Sequence, residues 1–149
     1  MGKRRAAREL ALRLLFQMDV GNAPLEDVLA SLDQRPQAAE TIEFARCLLE
    51  GAVAQRAIID EVLERYAREW SLDRMASVDR NVLRIATYEI LFCPEIPPSV
   101  SVDEAVEMVK KYSTAESGKF VNGILGNLVR HLDEEQARLP SHADPGKAP

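Results

Sequence analysis

The chain has 149 residues, enough for one ordinary domain with its own core, so neither a disulfide framework nor a structural metal is needed. Hydrophobic residues make up 46% and charged residues 29%, while the low aromatic share of 5%, beside abundant Ala, Leu, Val, Arg and Glu, favours helices over sheets. The net charge of −5 excludes a uniformly basic nucleic-acid coat but leaves room for a local cationic patch, the two cysteines are too few for a zinc site or disulfide scaffold, and apolar runs of four or five residues fall far short of the ~20 that cross a membrane.

The charge is unevenly placed. Lys3, Arg4, Arg5, Arg8 and Arg13 against Glu9 give residues 1–13 a net +4 and leave −9 to the rest, which points to a polyanion contact. No apolar run follows this basic start, so it does not resemble a signal peptide, and a reduced, cytoplasmic setting is expected. Residues 3–20 predict an amphipathic helix on Ala7, Leu10, Ala11, Leu14, Leu15 and Met18, with Arg4, Arg5 and Arg8 mostly off that stripe and Gly21 as its stop. Basic residues in a first turn oppose the helix dipole, so stability does not explain them.

Pro24 opens a short helix to Leu32, and residues 34–37 form a loop around Pro36. A long helix is expected over 38–55 on Ile42, Ala45, Leu49, Ala52 and Val53. Another follows over 57–69 on Ile59, Val62, Leu63 and Tyr66. Trp70 closes it, and residues 71–77 are a spacer with room for one helical turn. Residues 78–92 are apolar nearly all round, the mark of a central helix. Pro94, Pro97 and Pro98 end it. Ser101 and Glu104 have capping-box spacing for a helix to Tyr112, and Ser113 with Glu116 repeats that spacing. A last helix runs to about Leu132 on Val121, Ile124, Leu125 and Leu128, and a polar, proline-bearing tail over 133–149 is expected to be disordered. The pattern predicts an all-α bundle of about seven helices, with a break near 71–77 that pattern alone leaves undecided as a subdomain boundary.

Catalytic constellations are not visible. There is no phosphate loop and no dinucleotide fingerprint. His131 and His142 lie near or in the tail, and Cys47 and Cys93 sit in apolar helical surroundings that suit buried structural thiols. Three features stand out. Arg4, Arg5 and Arg8 offer planar forks suited to phosphate, or else a solvated face. Phe120, beside Lys119 and Asn122, could stack on an unpaired base; alternatively Phe120 packs in the core and Gly123 with Gly126 permits close helix contact. Asp79, Arg80, Asn81, Arg84, Tyr88 and Glu89 are the polar positions of the central helix, either a partner surface or an ordinary exposed edge.

Four stretches, in matching order and spacing, resemble the NusB family of bacterial transcription antitermination factors. They are residues 4–11 (RRAARELA), 79–91 (DRNVLRIATYEIL), 96–107 (IPPSVSVDEAVE) and 119–125 (KFVNGIL). The likeness spans about Lys3 to Leu132; over 23–74 it lies more in helical layout than in residues. The resemblance implies two packed helical subdomains and no catalytic activity or cofactor. It implies binding of the boxA element of nascent ribosomal RNA together with NusE, a small-subunit ribosomal protein. Other Nus factors and RNA polymerase then join indirectly, and termination is suppressed. Carried over by position, Lys3, Arg4, Arg5 and Arg8 become phosphate contacts, and Glu116, Ser117, Lys119, Phe120 and Asn122 lie beside the RNA path. Asp79 falls at the NusE contact, with Arg80, Arg84 and Tyr88 as weaker candidates. Two departures stand out: Asp103 replaces a frequent Asn, and the arginine run is shorter than in some members. The alternatives are a helical protein-binding adaptor without RNA specificity, or the helical domain that begins some ribosomal RNA cytosine methyltransferases. A homodimer is compatible with either, since some members dimerise and hide the arginine motif.

Overall fold

Every residue from Asn81 to Cys93 is buried, and the other helices are arranged around that rod. The computed structural model describes residues 2–140. Within them the chain is all-α. In order it forms α1 (Gly2–Gly21), α2 (Leu25–Asp33), α3 (Ala39–Ala54), α4 (Arg56–Tyr66), a 3-10 turn at Leu72–Arg74, α5 (Ser77–Phe92), α6 (Pro98–Tyr112), α7 (Ala115–Arg130) and α8 (Leu132–Arg138). Central α5 touches α1, α3, α4, α6, α7 and α8. Its Val82, Leu83 and Ile85 are fully enclosed, together with Leu14, Leu48, Leu49, Ile59, Leu63, Leu125 and Leu128 from the surrounding helices. Fully burying a side chain of this kind contributes roughly 1.5–3 kcal/mol, so α5 is the main source of cohesion. No helix among the described residues is long and apolar enough to cross a membrane.

Helix ends differ from expectation in instructive ways. Gly21 is the last residue of α1, and the left-handed position beyond it belongs to Asn22 (φ 57°), the residue other than glycine that best tolerates it. The capping box expected at Ser101 is not used. Helix α6 starts earlier, at Pro98, where a missing N–H is harmless, and Ser101 lies buried within it. The cap of α7 is Thr114 rather than Ser113, accepting a hydrogen bond from the Ser117 N–H at 2.9 Å. Gly123 has open space beside it and is not a close-packing position.

The eighth helix is a correction. Residues 132–138 were expected to lie at or beyond the end of the folded part, yet they form α8 and dock through a polar anchor instead of an apolar stripe. Glu135 is fully enclosed. It accepts two bonds from Arg65 (2.6 and 3.0 Å), one from the Tyr66 hydroxyl (2.5 Å) and one from Arg138 (3.0 Å). The remainder of the expected tail, residues 141–149, lies outside the described residues. The Arg65 hydrogen bonds hold the Glu135 carboxyl below the usual range despite its burial, while burial and then its own bond to Glu135 push Tyr66 up to about 12. A depressed carboxyl adds stability above its unfolded pKa and loses it as pH falls through the folded one. Glu135→Gln should therefore lower stability at pH 7 by about 2 kcal/mol, with Arg65 partly rehydrating, and should flatten the acid limb of a urea-midpoint against pH curve. An unchanged acid limb would show that α8 is not held this way.

Candidate nucleic-acid interface

The stripe that buries Ala7, Leu10, Ala11, Leu14 and Leu15 leaves Lys3, Arg4 and Arg5 exposed on the first turns of α1. Arg8 does not join them. It is 3% exposed, and its guanidinium pairs with Glu89 of α5 through two bonds, 2.8 and 2.9 Å, while the Ser101 hydroxyl donates to the same carboxylate at 2.8 Å. Arg8 is thus an internal tie between α1, α5 and α6, not an exposed phosphate contact.

The three exposed cations rest against neighbouring helices. Lys3 meets Glu40 of α3 at 2.7 Å. Arg5 makes a two-pronged bond to Glu104 of α6, 3.0 and 2.7 Å, and the Glu104 carboxyl is held below its usual range by that bond. Arg4 lies over the Phe44 ring, 5.1 Å from its centre, beside a groove of about 330 Å³ shared with Lys3, Glu40, Glu43 and Cys47. The carboxylates of Glu40, in the first turn of α3, and Glu104, midway along α6, offset the unfavourable placement of cations at a helix N-terminus. Cys47 is exposed, contrary to expectation, whereas Cys93 is buried and its thiol pushed up to about 12 by burial.

A second cluster forms where α5 and α7 begin. Ser117 donates to Asp79 Oδ2 at 2.8 Å, and Asp79 Oδ1 is buried with no partner. Phe120 is half-buried and sits edge-on to Trp70, with ring centres 5.9 Å apart. Phe120 therefore packs in part against the core and leaves part of its ring accessible. Trp70, Asp79, Glu116, Ser117 and Phe120 help line an open cavity of about 270 Å³, and Lys119 and Asn122 point outward beside it. Helix α6 connects the two clusters: Arg5 meets it at Glu104, and α7 starts just past its end.

The polar positions of α5 are mostly interior ties and not a partner surface. Arg80 bonds to Asp19 at 2.7 and 2.9 Å, and Arg84 bonds to Asp60 at 2.9 and 3.1 Å. Burial pushes the Asp19 carboxyl up, but bonds from Arg80 and Asn81 outweigh it and hold the group low. Tyr88 is 8% exposed and stacks on Phe92. Of that set Asp79 borders the cavity beside Trp70 and Phe120, while Asn81 and Arg84 border another of about 290 Å³ beside Asp19 and Arg56. Of the exposed large apolar side chains, Trp70 lines the Asp79 cavity and Val100 lies on α6, while Phe16, Val20 and Tyr112 lie apart from it and are 38%, 52% and 39% exposed. Phe16 and Tyr112 share a hollow with Leu12, Arg13 and Val78, next to Asp79 in sequence. The signal was present in the sequence, because Leu12, Phe16 and Val20 form a second apolar row at i, i+4, i+8 beside the core stripe.

Fold and surface together define an all-helical binding domain with a cationic helix end, an aromatic-lined acidic cavity and an uncovered apolar strip. Residues 5–130 match the NusB family, and the chain belongs to that family. The transcription antitermination protein NusB of Pelotomaculum thermopropionicum is 48% identical over 141 residues, covering 94% of this chain and 98% of the relative. That of Myxococcus xanthus is 39% identical, covering 90% and 99%. Among solved structures, NusB of T. maritima superposes with a TM-score of 0.77 at 39% identity, covering 94% of this chain and 95% of that one. A chain from a crystal structure of antitermination factors NusB and NusE in complex with double-stranded RNA gives a TM-score of 0.79 at 29% identity, covering 87% and 98%.

Proposed function

We propose that this protein is a transcription antitermination factor that binds the boxA element of nascent ribosomal RNA together with NusE and so helps RNA polymerase pass terminators. The observation that carries this is the exposed Lys3, Arg4 and Arg5 at the start of α1, in a family member of net charge −5. The solved complex of a NusB with NusE and RNA supports the same pairing of ligands. Lys3, Arg4 and Arg5 engage phosphates, and Lys119, Phe120 and Asn122 contact the strand further along, with Glu116 and Ser117 shaping that end. Arg8 leaves the RNA-contacting set. NusE occupies the apolar strip of Phe16, Val20 and Tyr112 next to Asp79, while Arg80, Arg84 and Tyr88 support that surface from inside. Three cations make RNA binding weak alone, and a partner's added surface raises it.

Fluorescence anisotropy with a boxA-like RNA and a scrambled control, with and without NusE across a salt series, tests this. Preference for boxA that strengthens with NusE is expected. Arg4→Ala with Arg5→Ala should weaken binding and flatten the salt slope by up to about two units. Phe16→Glu should abolish the effect of NusE and leave RNA binding alone unchanged. No preference and no NusE effect would leave a helical adaptor.

A further inference from the structure

Two of the three exposed cations on the first turns of α1 are already occupied by the protein's own carboxylates. We infer that Glu40 and Glu104 mask the cationic helix end and set how sparingly it takes RNA phosphate, an inference that rests on the RNA-binding function proposed above. Arg5 turns Nε and Nη2, the edge of its fork that suits a phosphate, onto the two oxygens of Glu104. Lys3 Nζ sits on Glu40 Oε1 at 2.7 Å. Further along the same helix, Glu9 takes up Lys111 at 3.1 Å. Arg4 is different: it lies on Phe44, and no carboxylate among the described residues lies within ion-pair distance of it.

The pairs are strong enough to matter and weak enough to exchange. Arg5 is 46% exposed and Lys3 61%, so water and phosphate reach both. An exposed ion pair shifts an equilibrium by up to about fivefold, and a two-pronged arginine pair lies at the upper end. A phosphate arriving at Arg5 must displace Glu104 and then tolerate the freed carboxylate beside it. Net neutralisation of RNA charge is therefore smaller than the number of cations suggests. Phosphates carry no sequence information, so the masking acts against all RNA alike. It leaves the sequence-reading contacts and the partner to supply the affinity that the helix end withholds.

The experiment measures anisotropy on boxA-like and scrambled RNA over a potassium chloride series, with folding checked by circular dichroism. Glu40→Gln should tighten both RNAs about twofold and Glu104→Gln about three- to fivefold, each steepening the salt slope by up to about one unit. Glu43→Gln is the matched control, since Glu43 borders the same groove and forms no ion pair among the described residues. It should gain clearly less. In an Arg5→Ala background the gain from Glu104→Gln should vanish. Equal gains from Glu43→Gln and Glu40→Gln, a gain that survives Arg5→Ala, or weaker binding by folded Glu104→Gln would each overturn the masking; the last would make Glu104 a positioning residue. If wild type binds RNA in an Arg4-dependent way and no glutamine variant improves it, only the masking fails. If no variant binds RNA, the RNA-binding function fails with it.

Discussion

Glu89→Ala is expected to lower stability by about 3–5 kcal/mol, because it strands the Arg8 guanidinium in a site that water does not reach. A domain of this size has a stability of about 5–15 kcal/mol, so this variant stands close to the unfolding threshold. Arg8 is 3% exposed and Glu89 1%, and the serine of α6 completes the carboxylate's bonding. Desolvating two charges offsets most of their attraction, so removing the whole set is a different experiment from breaking it. Arg8→Met with Glu89→Leu and Ser101→Ala should recover most of the lost stability in urea unfolding. The same triple variant separates structure from binding. Arg8 does not reach solvent, so the refolded variant should keep its RNA affinity, whereas Arg4→Ala should not. A loss of less than about 1 kcal/mol for Glu89→Ala would mean that the pair is hydrated.

Arg8 also marks where the sequence stops being legible. The apolar stripe of α1 and the all-round burial of α5 follow from spacing alone, because a 3.6-residue period fixes which positions share a face. Those two elements place the core and the cationic end. Arg8 lies at the edge of the α1 stripe, and a charge goes inside only if a partner waits there. That partner is on α5, far along the chain, and no local window contains both. The same holds for α8, which docks through Glu135 to Arg65 and Tyr66 of α4, so its anchor reads as a solvated acid. Arg80 and Arg84 look like surface positions for the same reason, although Asp19 and Asp60 hold them inside. Apolar burial is written in periodicity, while polar burial is written in pairs that only the folded chain brings together. The masking carboxylates of the helix end belong to this second kind.

Gly51→Ala sets two known effects against each other. Alanine is the better helix former by about 1 kcal/mol in a helix interior, so the substitution would stabilise an isolated α3. In the folded protein the added methyl would overlap the Tyr88 ring of α5. That ring is buried and stacked on Phe92, with centres 5.4 Å apart, so it has little room in which to move. Overpacking of this kind costs about 1–3 kcal/mol and more where the neighbour is rigid, so the net loss should be about 2–3 kcal/mol. Tyr88→Leu makes room, and the double variant should be more stable than the sum of the single effects by at least about 1 kcal/mol. The consequence reaches the RNA end. Glu40, Phe44, Cys47 and Gly51 follow one another along one face of α3, so a helix pushed off α5 moves Phe44 from beneath Arg4 and Glu40 from Lys3. Gly51→Ala should therefore weaken RNA binding in proportion to the displacement, and the Tyr88→Leu background should restore it. Stability lost without any change in RNA affinity would show that the α1 contacts are independent of where α3 sits.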